Sequence, residues 1–173
     1  MKISVIGAGS WGTAFARLTA LRGHETSLWV RRAELAERIK REKENDEYLP
    51  GIKLPEENFR TVTVLSSLDE EGDLLVFALP SFAMREMARR VKSEVGTENK
   101  YFINLAKGMD KKTSSTMSEL LAGSFRKEKI FTLSGPSHAE EVAREHPTAV
   151  VLAGNLEIGS YLQEELSTER FRI

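Results

Sequence analysis

Residues 2–12 of the chain read Lys2-Ile3-Ser4-Val5-Ile6-Gly7-Ala8-Gly9-Ser10-Trp11-Gly12, a short apolar run that ends in the pattern G-x-G-x-x-G. A strand that runs into this glycine pattern and then opens a helix predicts a turn that holds a dinucleotide. Gly7 would make the tight turn, Gly9 would let backbone amides approach a pyrophosphate, and Gly12 would let the helix pack close to the sheet. The positive end of the helix would then face the phosphates. A turn that only connects strand and helix is the alternative.

Short apolar runs alternate with amphipathic stretches along the rest of the chain, which is typical of repeated strand–helix–strand units. Strands are predicted at Lys2 to Ile6, Thr26 to Val30, Val62 to Leu65, Leu74 to Ala78, Tyr101 to Leu105, Ile130 to Leu133 and Thr148 to Leu152. Helices are predicted at Trp11 to Arg22, Ala33 to Lys43, Phe82 to Val95, Thr113 to Leu121, His138 to Arg144 and Leu156 to Leu166. The apolar strands favour a mostly parallel sheet covered on both faces. The predicted fold is α/β, a Rossmann-like doubly wound domain that comprises residues 1–173.

Three segments are expected to lie outside these regular elements. The stretch from Asn45 to Asn58 is interrupted by proline and glycine, and we expect an ordered surface loop there. Asp69, Glu70 and Glu71 are interpreted as a solvated connection. The final residues, Phe171-Arg172-Ile173, look like the start of a further strand, so the chain is expected to be part of a longer protein.

Composition and charge exclude several classes of function. The 25 basic and 26 acidic residues leave a net charge of -1, so nucleic acid is not an expected partner. The absence of cysteine excludes disulfides, thiolate metal sites and cysteine nucleophiles, and no spacing of histidine and carboxylate indicates a metal. The sequence has neither a targeting segment nor an apolar run of about 18 residues, so we expect a cytoplasmic protein that does not insert into membranes.

The residues after the second predicted strand bear on the choice of cofactor. An NAD-binding domain usually carries an Asp or Glu roughly 20 residues after the glycine turn, where it accepts hydrogen bonds from the adenosine ribose. This chain has Arg31-Arg32 instead. A guanidinium can pair with a 2′-phosphate through two parallel hydrogen bonds, so NADPH is favoured over NADH. Alternatively, the arginines only cover the strand end in solvent, or one stacks on adenine without selecting a phosphate.

Five segments of the sequence occur together in one known family. They are Gly7 to Ala14 with a tryptophan inside the glycine turn, Tyr48-Leu49-Pro50-Gly51-Ile52-Lys53-Leu54-Pro55, Ala78-Leu79-Pro80-Ser81 with Arg85, Ala106-Lys107-Gly108, and Gly135-Pro136-Ser137-His138-Ala139-Glu140-Glu141. In order and spacing, these segments resemble the N-terminal domain of the bacterial NAD(P)-dependent glycerol-3-phosphate dehydrogenases, and they are spread over most of the chain. The nearest enzymatic alternatives, a ketopantoate reductase or a 6-phosphogluconate dehydrogenase, are disfavoured by the tryptophan and by the Lys-Gly and Gly-Pro-Ser segments.

The resemblance implies an oxidoreductase that reversibly reduces dihydroxyacetone phosphate to sn-glycerol 3-phosphate, which feeds glycerophospholipid synthesis. The implied cofactor-binding residues are Gly7, Gly9, Ser10, Trp11, Gly12, Arg31, Arg32, Lys107 and Ala139, and the implied substrate-binding residues are Lys107, Gly135 and Ser137. The family continues into an α-helical C-terminal domain that supplies the proton-transferring lysine, the clamp for the substrate phosphate and possible homodimer contacts. No catalytic acid or base is therefore assigned in this chain, which is expected to bind NADPH but to be inactive alone.

Several polar side chains keep two interpretations. Lys107 would polarise the substrate ketone, or it is an ordinary loop lysine. Ser137 would contact substrate, cap the helix from His138, or do both. Ser81 is interpreted as the N-cap of the helix from Phe82, and the alternative is that it lines the nicotinamide side of the cleft. His138 is left unassigned, and His24 and His146 are predicted to be surface turn residues.

One alternative belongs to another class of protein. A free-standing module could bind NADPH and sense its redox ratio without chemistry. Such a sensor would need an effector surface, and the sequence shows no basic recognition helix.

Overall fold

The computed structural model describes residues 1–68 and 72–173, so the predicted solvated run of Asp69, Glu70 and Glu71 lies outside the described residues. The strands are β1 (Lys2–Ile6), β2 (Glu25–Trp29), β3 (Phe59–Val62), β4 (Leu74–Phe77), β5 (Tyr101–Asn104), β6 (Ile130–Ser134), β7 (Thr148–Ala149), β8 (Val151–Ala153) and β9 (Phe171–Arg172). The helices are α1 (Ser10–Leu21), α2 (Ala33–Glu42), α3 (Ser81–Glu94), α4 (Met117–Ala122), α5 (Ala139–Ala143) and α6 (Leu156–Leu166). Short 3₁₀ helices cover Leu65–Ser67 and Lys127–Lys129.

Seven strands form one sheet in the order β3-β2-β1-β4-β5-β6-β8. All neighbours are parallel except β6 and β8, which pair antiparallel. The strand order reverses between β1 and β4, and in open α/β sheets ligands bind at the carboxyl ends of the strands beside such a reversal. The predicted doubly wound, mostly parallel sheet is confirmed.

The core lies on both faces of this sheet because successive side chains of a strand point to opposite sides. In β4, Leu74 and Val76 pack in the cluster with α1, α2, α5 and α6, whereas Leu75 and Phe77 pack in the cluster with α3 and α4. Met84, Met87, Ala88 and Val91 form the buried face of α3. Helices on both faces leave the strand ends as the open edges of the domain.

The third strand was predicted at the wrong place. The sequence pattern indicated Val62 to Leu65, but β3 is Phe59–Val62 and a 3₁₀ helix begins at Leu65. Val64 is 57% exposed, whereas Leu65 and Leu68 are buried together three residues apart. The chain therefore turns after Val62 so that these two leucines reach the α3 side of the core.

The fourth predicted helix starts later than the sequence suggested. Thr113 bonds Asp110 through both its backbone amide and its hydroxyl, and Ser114 has a φ of 55°, so neither belongs to a helix. Helix α4 begins at Met117, where Thr116 and Glu119 form a reciprocal capping box.

The last predicted strand is divided between two sheets. Its first half, β7, pairs with β9, and its second half, β8, pairs with β6. Val150 between them is buried. Phe171 and Arg172 form β9, so the predicted start of a strand near the C-terminus is confirmed.

Candidate functional site

The glycine turn lies where the strand order reverses. Gly7 has a φ of +115°, and a Cβ placed on it would lie 2.4 Å from the carbonyl oxygen of Ala78, just after β4. A Cβ on Gly12 would lie 1.9 Å from the carbonyl oxygen of Gly7. Both glycines are therefore required for the close approach of β1, α1 and β4.

Gly9 has a different environment. It precedes α1 as its N-cap, with a φ of -74°, and a Cβ placed on it would meet nothing within 4 Å. Gly9 has no side chain that could cap this helix end, and the first turn of α1 contains no acidic residue. The turn thus combines open space with backbone donors at a positive helix end, which are the features that a diphosphate requires. A dinucleotide fits these residues.

The loop after α2 is fastened to the glycine turn. Asn45 is buried, and its Nδ2 donates hydrogen bonds to the Ala8 carbonyl at 2.9 Å and to Thr13 Oγ1 at 2.8 Å. The Ser10 hydroxyl donates to the Tyr48 carbonyl at 2.6 Å. Sequence reasoning missed Asn45, because nothing in the local pattern separates it from other loop asparagines.

Trp11 is half-buried in the first turn of α1. Its ring lies 6.4 Å from the rings of both Phe15 and Phe171, measured between centroids. It also packs against a small cluster that contains Leu49 and Ala139. Trp11 therefore joins α1 to β9 and to the loop after α2, at the rim of the glycine turn.

The arginine pair follows β2, and its two members differ. Arg31 is exposed and has no ion pair among residues 1–68 and 72–173. The guanidinium of Arg32 donates a hydrogen bond to the carboxylate of Glu47, which raises the pKa of Arg32 and lowers that of Glu47. Sequence reasoning missed Glu47, which lies in the loop after α2.

The turn that carries Lys107 is held by two buried polar side chains. Asn104 accepts from the Ala106 amide at 2.9 Å and donates to the Ala106 carbonyl at 3.2 Å. Asp110 pairs with Arg85 of α3 at 2.6 Å. Hydrogen bonds from Arg85 and Thr113 hold the pKa of the Asp110 carboxyl well below its usual range. The Lys107 backbone is thus tied to both β5 and α3.

The Gly-Pro-Ser turn lies beside Lys107, whose Nζ donates to the Gly135 carbonyl at 3.5 Å. A Cβ on Gly135 would lie 2.9 Å from Val150 Cα, so this glycine permits close packing. The N-cap interpretation of Ser137 is wrong, because α5 begins at Ala139 with His138 as its N-cap. The Ser137 hydroxyl donates weakly to the Gly135 carbonyl at 3.5 Å instead.

Ser81 is also not an N-cap. Helix α3 starts at Ser81 itself, preceded by Pro80, whose fixed φ suits the cap position. The Ser81 Oγ lies 3.4 Å from the position of a Cβ on Gly108. Ser81 therefore lies beside the Lys107 turn, which favours the second interpretation of this residue.

The remaining candidates divide between surface and core. His138 and His146 are exposed, but His24 is buried, contrary to prediction, because the end of α6 covers its turn and its Nε2 lies 2.9 Å from the Glu165 carbonyl oxygen. Ala139 is buried between α5 and α1. In the described part of the chain, no helix is long and apolar enough to cross a membrane, and no group of three potential metal ligands occurs.

The turns that follow β1, β4, β5 and β6 lie next to one another along one edge of the sheet. The glycine turn touches Ala78 and Leu79, Ser81 approaches Gly108, and Lys107 reaches Gly135. Beyond Lys107 lies an open cavity of about 1000 Å³, whose lining includes Asn104, Lys107, Gly108, Ser134 and Asn155. Its size is at the upper end of the range of small-ligand pockets.

Known proteins resemble the chain over its whole length. Residues 2–158 match the family described as NAD-dependent glycerol-3-phosphate dehydrogenase N-terminus. Glycerol-3-phosphate dehydrogenase (NAD(P)+) of Chlorobium limicola is 38% identical over 177 aligned positions, which cover 100% of this chain and 53% of that protein. The protein of the same name from Carboxydothermus hydrogenoformans is 40% identical over 178 positions, covering 100% of this chain and 52% of that protein.

A solved structure gives the same result. The crystal structure of glycerol-3-phosphate dehydrogenase from Coxiella burnetii superposes with a TM-score of 0.89 at 33% identity, covering 99% of this chain and 52% of that one. The chain spans about half the length of the curated relatives it matches. The glycine turn, the Lys107 turn and the Gly-Pro-Ser turn all lie within the matched residues. The chain therefore belongs to the family of the NAD-dependent glycerol-3-phosphate dehydrogenases, whose N-terminal part it matches.

Proposed function

We propose that residues 1–173 are the cofactor-binding domain of a glycerol-3-phosphate dehydrogenase, which reversibly reduces dihydroxyacetone phosphate to sn-glycerol 3-phosphate with NADPH or NADH. The observation that carries the proposal is the single edge that joins the glycine turn, with its open space at Gly9, to Lys107 and Gly135. Sheets of this topology bind nucleotides along this edge.

The backbone amides at the start of α1 would hold the pyrophosphate, and Arg31 and Arg32 would hold the adenosine ribose with its 2′-phosphate. Trp11, Ser10 and Ala139 would line the cofactor through their positions around the glycine turn. When bound, the nicotinamide supplies or accepts the hydride.

Lys107 and the Gly-Pro-Ser turn would act on the substrate. The Lys107 ammonium, which extends from a turn held by Asn104 and Asp110, would attract electron density toward the ketone oxygen and stabilise negative charge as it develops there. The backbone of Gly135 and the hydroxyl of Ser137 would orient the substrate. Proton transfer to the alkoxide and a clamp for the phosphate are each worth orders of magnitude in rate.

We assign both of these tasks to the part of the family's proteins beyond the matched half, together with any homodimer contacts. The 173-residue chain alone is then expected to bind cofactor without measurable turnover of dihydroxyacetone phosphate. The reaction is proposed to run in the cytoplasm, where its product would feed phospholipid synthesis.

Titration of the purified chain with NADPH and with NADH tests the proposal. Tryptophan fluorescence and energy transfer to the nicotinamide report binding, since Trp11 lies at the glycine turn. NADPH is expected to bind more tightly, and Arg31→Asp should weaken its binding by tenfold or more, on the order of 1.4 kcal/mol. Arg41→Asp makes the same change of charge at the far end of α2 and should change little. Absence of binding by both cofactors would refute the assignment.

A further inference from the structure

The Arg32 guanidinium, which is predicted from the sequence to bind a 2′-phosphate, is hydrogen-bonded to a carboxylate of the chain itself. Glu47 Oε1 accepts a hydrogen bond from Arg32 Nη2. The other carboxylate oxygen, Oε2, accepts from Arg38 Nη2 at 3.3 Å. The end of β2 thus has a hydrogen-bonded carboxylate beside it, although the residues directly after β2 are Val30, Arg31 and Arg32.

The backbone around Glu47 is fixed on both sides. Asn45 is buried and bonded to Ala8 and Thr13, and the carbonyl of Tyr48 accepts from Ser10. Asp46 further holds Arg38, with 2.8 Å between Oδ1 and Nε. Glu47 therefore lies between two anchors on the glycine turn, and its place beside Arg32 is set by the same contacts that shape the turn.

We propose that Glu47 determines how strongly this chain distinguishes NADPH from NADH. Its carboxylate neutralises Arg32 and repels a 2′-phosphate, and it offers an acceptor to a ribose 2′-hydroxyl, the task of the acidic residue that follows the second strand in NAD-binding domains. Arg31 remains available for the phosphate. The site then accepts both cofactors, with a preference for NADPH that Glu47 limits. This inference rests on the proposed function, because it requires the adenosine ribose to lie at Arg31 and Arg32.

The size of the effect follows from exposure and charge. The side chains of Arg32 and Glu47 are 45% and 35% exposed, so solvent and salt screen their interaction. The 2′-phosphate carries about two negative charges near neutral pH, which increases the repulsion that removal of Glu47 relieves. We expect a change in the NADPH to NADH affinity ratio of about tenfold at low salt, decreasing as salt is added.

The test compares Glu47→Gln with the unaltered chain for binding of NADPH and NADH. Glu47→Gln should bind NADPH more tightly and NADH no more tightly, raising the ratio about tenfold. Glu34→Gln is the matched control: Glu34 also acts on Arg32 through its charge but makes no hydrogen bond to it, so the ratio should change by less than about threefold. Adenosine 2′,5′-bisphosphate and AMP lack the nicotinamide, and the ratio of their affinities should rise in Glu47→Gln by the same factor as the ratio for NADPH and NADH.

Each outcome has a defined meaning. An unchanged ratio in Glu47→Gln, with NADPH still bound and still sensitive to Arg31→Asp, overturns the inference and leaves the proposed function intact. If the unaltered chain binds neither cofactor, both fall together. Because Glu47 is exposed, Glu47→Gln should retain its unfolding temperature within a few degrees, which thermal unfolding checks in the same samples.

Discussion

Replacing Gly9 with alanine should weaken cofactor binding while leaving the fold intact. In the folded chain, a Cβ at Gly9 meets no atom within 4 Å, and its φ of -74° is ordinary for alanine. Alanine is a poorer N-cap than glycine, but it also restricts the unfolded chain, and the two effects oppose each other. The net change in the free energy of unfolding should be within about 1 kcal/mol.

The loss of binding should be larger. The open space in front of Gly9 is where a pyrophosphate would approach the amides of α1, and a methyl group there would hold it away. A hydrogen bond to a charged group contributes about 2 kcal/mol, so losing one should weaken NADPH binding roughly thirtyfold.

Gly12→Ala is the matched comparison, with the opposite expectation for stability. Its Cβ would lie 1.9 Å from the Gly7 carbonyl oxygen, where ordinary contact begins at 3.4 Å, so α1 must move away from the sheet. Such overpacking should lower the free energy of unfolding by about 3 kcal/mol. For a domain of this size, that corresponds to an unfolding temperature lower by roughly 10 °C. Thermal unfolding and NADPH titration of both variants measure the contrast. Tight NADPH binding by Gly9→Ala would show that phosphates do not lie over Gly9.

Two further predictions concern stability. Because the folded chain lowers the pKa of Asp110, its ionised carboxylate stabilises the fold above the ordinary aspartate range near pH 4, and this contribution is lost as pH falls toward the lower folded value. Asp110→Asn should therefore lower the unfolding temperature at pH 7 and make that temperature fall less steeply in acid. An unchanged dependence of the unfolding temperature on pH would contradict a stabilising ion pair between Asp110 and Arg85. Gly154→Ala should destabilise the chain by about 1–3 kcal/mol, because its Cβ would lie 2.3 Å from the buried ring of Phe131. Gly159→Ala, inside α6 at an ordinary 3.5 Å from that ring, should instead stabilise it by up to about 1 kcal/mol, and calorimetry decides whether the two signs differ.

Some features could not be predicted from local patterns even though the fold could. The run Val62-Thr63-Val64-Leu65 has the composition of a strand, yet Leu65 and Leu68 are placed by their packing against α3, which no short window of sequence contains. The helix predicted to begin at Thr113 begins at Met117 instead, because a hydrogen bond to Asp110 holds Thr113 in a turn. His24 is predicted to lie at the surface because it is beside Gly23 in the turn before the second strand, but α6, far along the chain, covers that turn.

The sequence by itself determined the alternation of strands and helices, and it indicated the glycine turn, the Lys107 turn and the Gly-Pro-Ser turn of the candidate site. These features depend on backbone geometry and on periodicity within a few residues, which local sequence encodes. Only the tertiary structure decided that Asn45 and Tyr48 fasten the loop to the glycine turn, and that this places Glu47 beside Arg32. Side chains from separate elements meet only when the packed core sets the distances between those elements, so the pairing of Glu47 with Arg32 is a property of the assembled fold.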